Sequence, residues 1–476
     1  MQDGHHHRHF STPSSSAPVE WKRVTPPPLS KRSRKRSRIS AEVPPTQTSV
    51  DPRKRKRKRG NRDGWQKRKK KARNEEDGNR RWVFSPRDCS GYKDRFVIVS
   101  YNILGVGNAS KHVDLYNRVP PQNLNWDWRK KLICKELNLY MPGILCFQEV
   151  DRFDDLADLL HEDGFKGVYK GRTGEACDGC AIFWREELFT LLHQEDLEFR
   201  KFGLRDNVAQ LCVLKMNLNH SKSSRSNGTY PQKARTTPSR SILVGNIHVL
   251  FNPNRGDIKL GQIRLFLETA HRLSQEWGNI PVIIAGDLNS MPQSAIYQFL
   301  ASSELDILMY DRRKMSGQIE CPSSSKPFSN QSATTTRSLL CISNPMRYRW
   351  SEEEIRLAAG CRGCTHLQHH LKLHSAYIGV PGDCHTRDND GEPLATSYHS
   401  KFMGTVDYIW HSEDLVPVAV VETLPINILR KTGGLPSEKW GSDHLALVCE
   451  LAFADNVSDL TSTTQVLSSD KQGVAQ

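Results

Sequence analysis

The sequence contains no long apolar run. Nothing in its 476 residues approaches the roughly 18 to 20 consecutive apolar residues of a membrane helix. The N-terminus also lacks the apolar segment of a signal peptide and is instead rich in His, Ser and Pro. The cysteines are scattered through apolar runs such as Ile144–Phe147. We therefore expect a soluble protein of the cytosol or nucleus whose thiols are reduced.

Acidic residues are scarce near the N-terminus. Met1–Arg73 holds 23 Lys and Arg against 5 Asp and Glu, a net charge of +18, so the remainder carries −3 of the total of +15. Residues 1–79 also have almost no periodic apolar pattern, which predicts a disordered basic tail. Its clusters Lys31–Arg38, Arg53–Arg59 and Lys67–Arg73 are typical of nuclear import signals or of binding to RNA phosphates, or form a merely solvated arm. We expect the protein in nucleus and cytoplasm.

Apolar runs of strand length recur from Trp82 onward, with helix-like stretches among them. The predicted strands are Phe96–Leu104, Gly143–Val150, Cys180–Trp184, Leu211–Leu218, Ile242–Leu250, Val282–Asn289, Val406–His411 and Leu445–Leu451. The predicted helices are Trp126–Tyr140, Phe153–His161, Asp257–Trp277 and Gln293–Leu300. Because some neighbouring strands have no helix between them, the pattern favours an α/β sandwich of mixed sheets. We expect one folded domain over residues 80–454 and a disordered tail over 455–476.

Two insertions interrupt this pattern. Residues 220–240 are rich in Ser, Thr, Gly, Lys and Arg and join two strands, which predicts a mobile hairpin loop. Residues 311–370 contain a low-complexity run and a candidate amphipathic helix, Ser351–Gly360. The spacing of Cys361 and Cys364 is compatible with a zinc site, but only this one pair of ligands is clean. We therefore expect free thiols on an inserted helix.

Six of the predicted strands carry polar side chains inside or at the end of an apolar run. These side chains are Asn102, Glu149, His248, Asp287 with Asn289, Asp407, and Asp443 with His444. Asp287 and Asn289 lie two residues apart and so point the same way on an extended backbone, although a lone Asp-x-Asn also occurs in simple Asx turns. Since each buried polar group would otherwise need its own partner, we expect the set to converge.

The residue types indicate what the set converges on. Glu149, Asp287, Asn289 and the further candidate Asp443 form an oxygen-dominated ligand set, which favours Mg2+, or else Mn2+, over zinc. A carboxylate-bound Mg2+ with His and Asn donors nearby is the equipment for phosphoryl transfer.

The sequence strings around these polar residues resemble those of a known protein superfamily. The strings SYNIL, FQEV, GNIHV, GDLNS, VDYIWHS and SDHLAL, in that order, resemble the endonuclease/exonuclease/phosphatase superfamily. The longer strings PGILCFQEVDRF, HVLFNPNRGDIKLGQIRLF and KFMGTVDYIWHSEDL resemble its carbon catabolite repressor four-like poly(A) nucleases, particularly those of plants. The resemblance covers residues 96–451 outside the two insertions. It implies a four-layer αββα sandwich of two mixed β-sheets, and a Mg2+-dependent 3′ to 5′ exoribonuclease that shortens mRNA poly(A) tails and releases AMP.

The resemblance also implies roles at the metal. Glu149 would be the principal Mg2+ ligand, while Asp287 and Asn289 would orient the attacking water and help to hold the metal. Asn102 would hold this cluster together. Asp443 is a further candidate ligand or water-orienting group.

The remaining implied roles concern the substrate. His248 would stabilise charge that develops on phosphate, and Asp407 would orient His444 by fixing the tautomer of its imidazole. Pro253 and Phe402 match positions that sandwich an adenine base in relatives. For Phe402, a core aromatic is an equally open interpretation.

The resemblance also bears on the binding partners and on alternative functions. Poly(A) RNA at mRNA 3′ ends is the expected partner, and neither DNA nor a membrane is expected. The yeast and animal deadenylases dock on their large scaffold through leucine-rich repeats, which have no counterpart here, so membership of that complex and a strict poly(A) preference stay open. Alternative functions are a nucleotide 2′-phosphatase on the same fold, an RNA-binding adaptor with an inactive nuclease domain, and, more distantly, a DNA-repair endonuclease.

Overall fold

The computed structural model of the protein describes residues 80–217, 240–318 and 350–454. Its strands, in chain order, are β1 (Trp82–Phe84), β2 (Arg95–Asn102), β3 (Ile144–Val150), β4 (Phe165–Gly171), β5 (Gly179–Arg185), β6 (Phe189–Glu198), β7 (Val208–Met216), β8 (Ser241–His248), β9 (Val282–Asp287), β10 (Glu304–Asp306), β11 (His366–Gln368), β12 (Leu373–Ser375), β13 (Ser397–His399), β14 (Phe402–Gly404), β15 (Asp407–Ser412), β16 (Leu415–Val421) and β17 (Leu447–Phe453).

The helices are short apart from two. In chain order they are α1 (Val106–Lys111), α2 (Pro121–Leu124), α3 (Trp126–Leu137), α4 (Phe153–Glu162), α5 (Gly256–Glu276), α6 (Ala295–Ser302), α7 (Glu352–Ala359) and α8 (Ile426–Lys431). Single 3-10 turns occupy Phe199–Phe202, Ile307–Met309 and Arg312–Lys314. None of the helices in the described ranges is long and apolar enough to cross a membrane.

Most of the strands form two mixed sheets. The first has seven strands in the order β1-β16-β17-β2-β3-β5-β4, and the second has six in the order β12-β15-β9-β8-β7-β6. Each sheet contains one parallel pair at its centre, β2 with β3 and β8 with β9, among antiparallel neighbours. Two further antiparallel pairs, β10 with β11 and β13 with β14, form separate two-stranded sheets.

The two sheets pack face to face, and helices cover their outer faces. Ile98 and Ile144 of the first sheet share a buried apolar cluster with Val244 and Ile283 of the second. The outer face of the first sheet packs against α3 and α4, and that of the second against α5, α6 and α7. The order of layers is therefore helix, sheet, sheet, helix, which confirms the predicted αββα sandwich of two mixed sheets.

The central strands form because they are apolar on both faces. All six residues of β9 are buried, as expected for a strand between a second sheet and a helical layer. The eight predicted strands and four predicted helices are all present, with ends shifted by three residues or fewer.

The two predicted insertions differ in outcome. β7 and β8 pair as neighbours in an antiparallel hairpin, as predicted, while the loop interior 218–239 lies outside the described residues. The ends of the predicted 311–370 insertion belong to the folded body, because Met315 and Ala358 are completely buried in the core beside α5. The predicted helix is present as α7, whereas 319–349 and the predicted tails 1–79 and 455–476 lie outside the described residues.

The prediction for the Cys-x-x-Cys pair is wrong. Cys361 and Cys364 form a disulfide, and they follow the C-terminal end of α7 instead of lying on the helix. Their Cα atoms are 5.9 Å apart, within the range that a disulfide can bridge. The eight remaining cysteines in the described ranges are free, as predicted.

Candidate active site

The central strands of both sheets end at one place. His248, the last residue of β8, is in register with Asp287, the last residue of β9, and Asp287 is in turn in register with Asp407, the first residue of β15. Gly286 precedes Asp287 with φ of +153°, and a Cβ there would lie 2.0 Å from the carbonyl oxygen of Ile247. Only glycine at position 286 allows β8 and β9 to approach this closely, and Asp287 therefore lies beside His248.

Asn102 joins the two sheets across this opening. Its Nδ2 atom donates hydrogen bonds to Oε1 of Glu149 and to Oδ2 of Asp287, both at 3.1 Å. Its own oxygen accepts from the backbone N–H of Leu104 at 3.1 Å, so the amide is oriented from both ends. The fully buried Asn102 therefore holds one carboxylate from each sheet.

Glu149 reaches Asn102 because β3 is irregular there. The pairing of β3 with β5 shifts register between Phe147 and Val150, and Glu149 has φ of +58°. The left-handed conformation costs a non-glycine residue roughly 1 to 2 kcal/mol. Such strain is concentrated at functional sites. The second carboxylate oxygen of Glu149 accepts from the backbone N–H of Gly105 at 3.0 Å and from Nδ2 of Asn108 at 2.8 Å.

Asp287 lies at the centre of the buried polar groups. Its Oδ2 atom lies 3.5 Å from Nε2 of His248 and 3.9 Å from Nε2 of His444. Burial, together with the nearby carboxylate of Asp407, raises the pKa of Asp287 to about 7. Burial also lowers the pKa of His248 to about 4, so this imidazole is neutral at physiological pH.

Asn289 turns the chain just beyond Asp287. Its backbone N–H donates to Oδ1 of Asp287 at 2.8 Å, and its side-chain Nδ2 donates to the carbonyl of Val249 at 2.9 Å. Asn289 also has a positive φ of +46°, a conformation that Asn tolerates better than most residues. The predicted pair therefore lies in a single turn at the end of β9.

His444 and Asp407 form a hydrogen-bonded pair. Nδ1 of His444 lies 2.8 Å from Oδ2 of Asp407, which places a proton on Nδ1. Burial alone would lower the pKa of His444, but the carboxylates of Asp407, Asp443 and Asp287 outweigh it and raise that pKa well above its ordinary value. The other oxygen of Asp407, Oδ1, is buried with no hydrogen-bond partner in the protein.

Asp443 is held by the hydroxyl group of a tyrosine. Its Oδ2 atom accepts a hydrogen bond from the hydroxyl of Tyr116 at 2.8 Å. The neighbouring Ser442 donates to the backbone carbonyl of Asn102 at 2.6 Å. The segment that carries Asp443 and His444 is therefore tied to the end of β2, on the same side of the opening as Glu149.

Of the eight predicted side chains at the strand ends, all except Asn102 and Asp407 line one pocket of about 420 Å³. Pro253 and Phe402 line the same pocket, so the two predicted base-stacking residues lie in the same cavity as the carboxylates. Phe402 is half-buried on β14, with its ring 5.9 Å from that of His399. It lines the pocket and does not belong to the apolar core clusters.

The sequence analysis did not single out several polar residues of this pocket, and four of them stand out. They are Asn108, Tyr116, Arg172 and Asn207. Asn207 donates to the backbone carbonyl of His248 at 2.9 Å and so fixes the end of β8. Arg172 lies 3.5 Å from a carboxylate oxygen of Asp178, and its Nε atom is buried without a protein partner. Tyr116, Arg172 and Asn207 lie in loops between regular elements, where periodicity carries no signal, and Asn108 lies on the short helix α1.

The residues present fit a divalent cation. The carboxylates of Glu149, Asp287 and Asp443 line the pocket, and the carboxylate of Asp407 is bonded to His444 beside them. The cations of the same pocket are Arg172, Lys401 and a protonated His444. One amide, that of Asn102, serves oxygens of both Glu149 and Asp287. Such an excess of buried negative charge is compensated by a bound cation, and hard oxygen donors suit a cation of the Mg2+ type.

A second grouping of donors overlaps the first. Asp287, Asp407 and His444 each offer an atom within 4.8 Å of the others, the one fully buried trio of this kind in the described ranges. Within this trio, Nδ1 of His444 is bonded to Asp407, and Nε2 of His444 lies 3.9 Å from Oδ2 of Asp287.

Comparison with known proteins agrees with this geometry. The model of the Endonuclease/Exonuclease/phosphatase family matches residues 99–444, and the chain belongs to this family. Within it, the chain is of the carbon catabolite repressor 4-like type. It is 59 % identical to Carbon catabolite repressor protein 4 homolog 5 of Arabidopsis thaliana over 79 % of this chain and 81 % of the relative. It is 49 % identical to homolog 3 of the same plant over 76 % of this chain and 75 % of the relative.

A solved structure is also similar. The crystal structure of ANGEL2, a 2′,3′-cyclic phosphatase in complex with adenosine-2′,3′-vanadate, superimposes with a TM-score of 0.61 at 28 % identity. The match covers 79 % of this chain and 99 % of that one. Family and fold together support a hydrolytic enzyme of the nuclease and phosphodiesterase type.

Proposed function

We propose that the protein is a Mg2+-dependent 3′ to 5′ exoribonuclease that removes adenylates from the 3′ ends of mRNA. The observation that carries the proposal is the shared pocket of the Glu149–Asp287 carboxylate pair and the Pro253–Phe402 pair. A phosphodiester attacked at the carboxylates would thus leave its terminal base beside two flat side chains. Stacking of a base on such groups contributes roughly 1 to 3 kcal/mol and needs few hydrogen bonds.

The cation would be held by Glu149 and Asp287, with Asn289 beside them. When bound, it would supply charge neutralisation at the phosphate and polarisation of the attacking water. Asn102 keeps the two carboxylates at a fixed separation through its two hydrogen bonds of 3.1 Å. The site is therefore preorganised before substrate arrives.

The remaining side chains act on water and phosphate. Asp287, whose Oδ2 atom lies 3.5 Å from His248 and 3.9 Å from His444, orients the attacking water. His444, kept protonated by Asp407, and the neutral His248 donate hydrogen bonds to the charge that develops on the phosphate oxygens. Water adds to phosphorus and the bond to the 3′ oxygen of the preceding nucleotide breaks, which yields 5′-AMP and an RNA shortened by one nucleotide.

Arg172 is a further group that can bind the phosphate of the substrate. Its guanidinium lines the pocket and has a buried Nε atom without a protein partner, so it can offer that N–H to a phosphate oxygen. Asn207 and Asn289 complete the polar wall on this side of the cavity.

The experiment is a denaturing gel of 5′-labelled RNA that ends in a 3′ oligo(A) run, incubated with the full chain and Mg2+. We expect a ladder that stops where the oligo(A) run begins and that is absent with EDTA or with Glu149→Ala. A thermal melt of Glu149→Ala separates loss of catalysis from loss of folding. Intact substrate with folded wild-type protein would refute the proposal.

A second candidate function is hydrolysis of a 2′,3′-cyclic phosphate at an RNA end. The similarity to ANGEL2 favours it, because that protein is a 2′,3′-cyclic phosphatase and was crystallised with an adenosine-2′,3′-vanadate. An adenosine bearing a cyclic phosphate would use the same stacking pair and the same carboxylates. RNA ending in a 2′,3′-cyclic phosphate, incubated in parallel, distinguishes the two functions by the product formed.

A further inference from the structure

Phe251 is an aromatic residue that stays exposed on the wall of the active-site pocket. Its side chain is 53 % exposed, yet it lines the same cavity as Pro253 and Phe402. Single exposed apolar side chains are common on protein surfaces and need no explanation. The surroundings of Phe251 distinguish it from such cases.

The backbone on both sides of Phe251 is fixed. The N–H of Leu250 donates to Oε1 of Gln262 on α5 at 2.9 Å, and the Leu250 side chain packs against the core. On the other side, Asn252 accepts from the N–H of Asn254 at 2.9 Å in a tight turn that leads into α5. The exposed ring is therefore presented from an anchored segment, which makes it a surface of defined position.

A second ring extends this surface. The centroid of the His112 ring lies 6.3 Å from that of Phe251, with 39° between the ring planes, and His112 lines the pocket as well. His112 follows directly after α1, on the first sheet's side of the opening, whereas Phe251 follows β8 of the second sheet. Two segments from different layers thus place aromatic rings side by side at the pocket mouth.

The spacing to the neighbouring stacking residue matches a nucleic acid strand. Phe251 and Pro253 are two residues apart, a distance of at most about 7 Å along the chain. Successive stacked bases of one strand are separated by about 3.4 Å, so neighbouring bases can reach both residues.

We propose that Phe251 and His112 form a second base-binding subsite, which stacks the base that precedes the terminal adenine. The proposal rests on the proposed exoribonuclease function, in which Pro253 and Phe402 hold the terminal base. It makes the preferred substrate a single-stranded oligonucleotide with at least two 3′-terminal bases. A mononucleotide would occupy the subsite of Pro253 and Phe402 and leave the subsite of Phe251 and His112 empty.

The test compares two oligo(A) strands that differ only at the penultimate position, where one carries an abasic ribose. Both have the same phosphates, so the contribution of the basic segment 1–73 to binding is equal for the two. Dissociation constants are measured by fluorescence anisotropy with the full chain in EDTA, where no cleavage occurs, and cleavage rates are measured separately in Mg2+. For the wild type we expect the abasic position to weaken binding about tenfold, the factor that one stacked base supplies.

The variants make the result specific to Phe251. In Phe251→Ala the difference in affinity between the abasic strand and the intact strand should largely disappear, because only the smaller His112 ring of the subsite remains. Phe251→Trp should restore the difference. Phe84→Ala is the matched control, because Phe84 is 66 % exposed on β1 and does not line the pocket, and it should keep the tenfold difference.

The outcomes separate the subsite from the proposed function. A tenfold difference that Phe251→Ala abolishes supports the subsite even if the strands are not cleaved, in which case the exoribonuclease proposal alone fails. Cleavage of oligo(A) with no difference between the strands, or with the same difference in wild type and Phe251→Ala, overturns the subsite. If the wild type neither cleaves oligo(A) nor binds the two strands with different affinities, both the exoribonuclease proposal and the subsite proposal are overturned.

Discussion

Asn102→Asp is the substitution that most sharply probes the link between the two sheets. The replacement has the same shape and can still accept from the N–H of Leu104, but it can no longer donate to Glu149 and Asp287. Two hydrogen bonds to charged groups are lost, each worth at least about 1.5 kcal/mol, so we expect a loss near 3 kcal/mol at pH 8 in EDTA. At about 2 °C per kcal/mol the melting temperature should fall by about 6 °C.

Mg2+ should reverse much of this loss. The variant places a third carboxylate beside Glu149 and Asp287, so a cation bound there gains a further negative charge. The Mg2+-induced rise in melting temperature should therefore be larger in Asn102→Asp than in the wild type. The turnover rate on RNA should still fall by about 10- to 100-fold, because the orientation of both carboxylates is lost.

Asn246→Asp is the matched control for this experiment. Asn246 is also fully buried on a central strand, but its Nδ2 atom donates to the backbone carbonyls of Phe147 and Ala181, at 2.9 and 3.0 Å. Its loss should destabilise the fold with no recovery in Mg2+. Equal Mg2+ shifts in wild type and Asn102→Asp would refute the assignment of the cation to the Glu149–Asp287 pair.

Three further predictions concern other groups. Asp407→Asn should lower the turnover rate about 10- to 100-fold. Because Asp407 raises the pKa of His444, the alkaline limb of the pH–rate profile should also move to lower pH in this variant. An alkaline limb at the same pH as in the wild type would contradict the role of the pair. Burial raises the pKa of Glu392 from 4.5 to about 7, so its contribution to stability is greatest below pH 4.5 and is lost as the pH rises to 7. Glu392→Gln should therefore raise the free energy of unfolding by up to about 3 kcal/mol at pH 8 but not at pH 4, and equal effects at the two pH values in denaturant titrations would count against it. Phe402→Ala should reduce the preference for oligo(A) over oligo(U) about tenfold, and competition binding that shows the original preference would remove Phe402 from the base site.

The regular elements were predictable where both faces of a strand are apolar. β9 is a continuous apolar run that ends in Asp287, and β8 is apolar apart from Ser241 and Asn246 and ends in His248, and the sequence shows these features. β6 was not predicted, because it is largely half-buried at the edge of its sheet and its sequence, FTLLHQEDLE, is mostly polar after the first four residues. β16 contains Pro417, which argues against an inner strand, yet the strand accommodates it with a register shift between Pro417 and Ala419.

The polar strand ends of the candidate site were predictable and its loop residues were not. Glu149, Asp287 and Asp407 interrupt apolar runs, so their sequence context singles them out. Arg172 and Asn207 are ordinary polar residues of loops, and only the fold brings them beside His248. The Cys361–Cys364 disulfide was missed because the spacing of two cysteines does not distinguish a bond between them from a shared metal or from free thiols.

The central claim is that this pocket hydrolyses the phosphodiester of a 3′-terminal adenylate. The most direct test is a competition in one tube, in Mg2+, between an RNA that ends in oligo(A) with a free 3′ hydroxyl and the same RNA that ends in a 2′,3′-cyclic phosphate. We expect 5′-AMP to be released from the first RNA faster than the second loses its cyclic phosphate, with both reactions absent in EDTA. Opening of the cyclic phosphate without release of AMP would contradict the account.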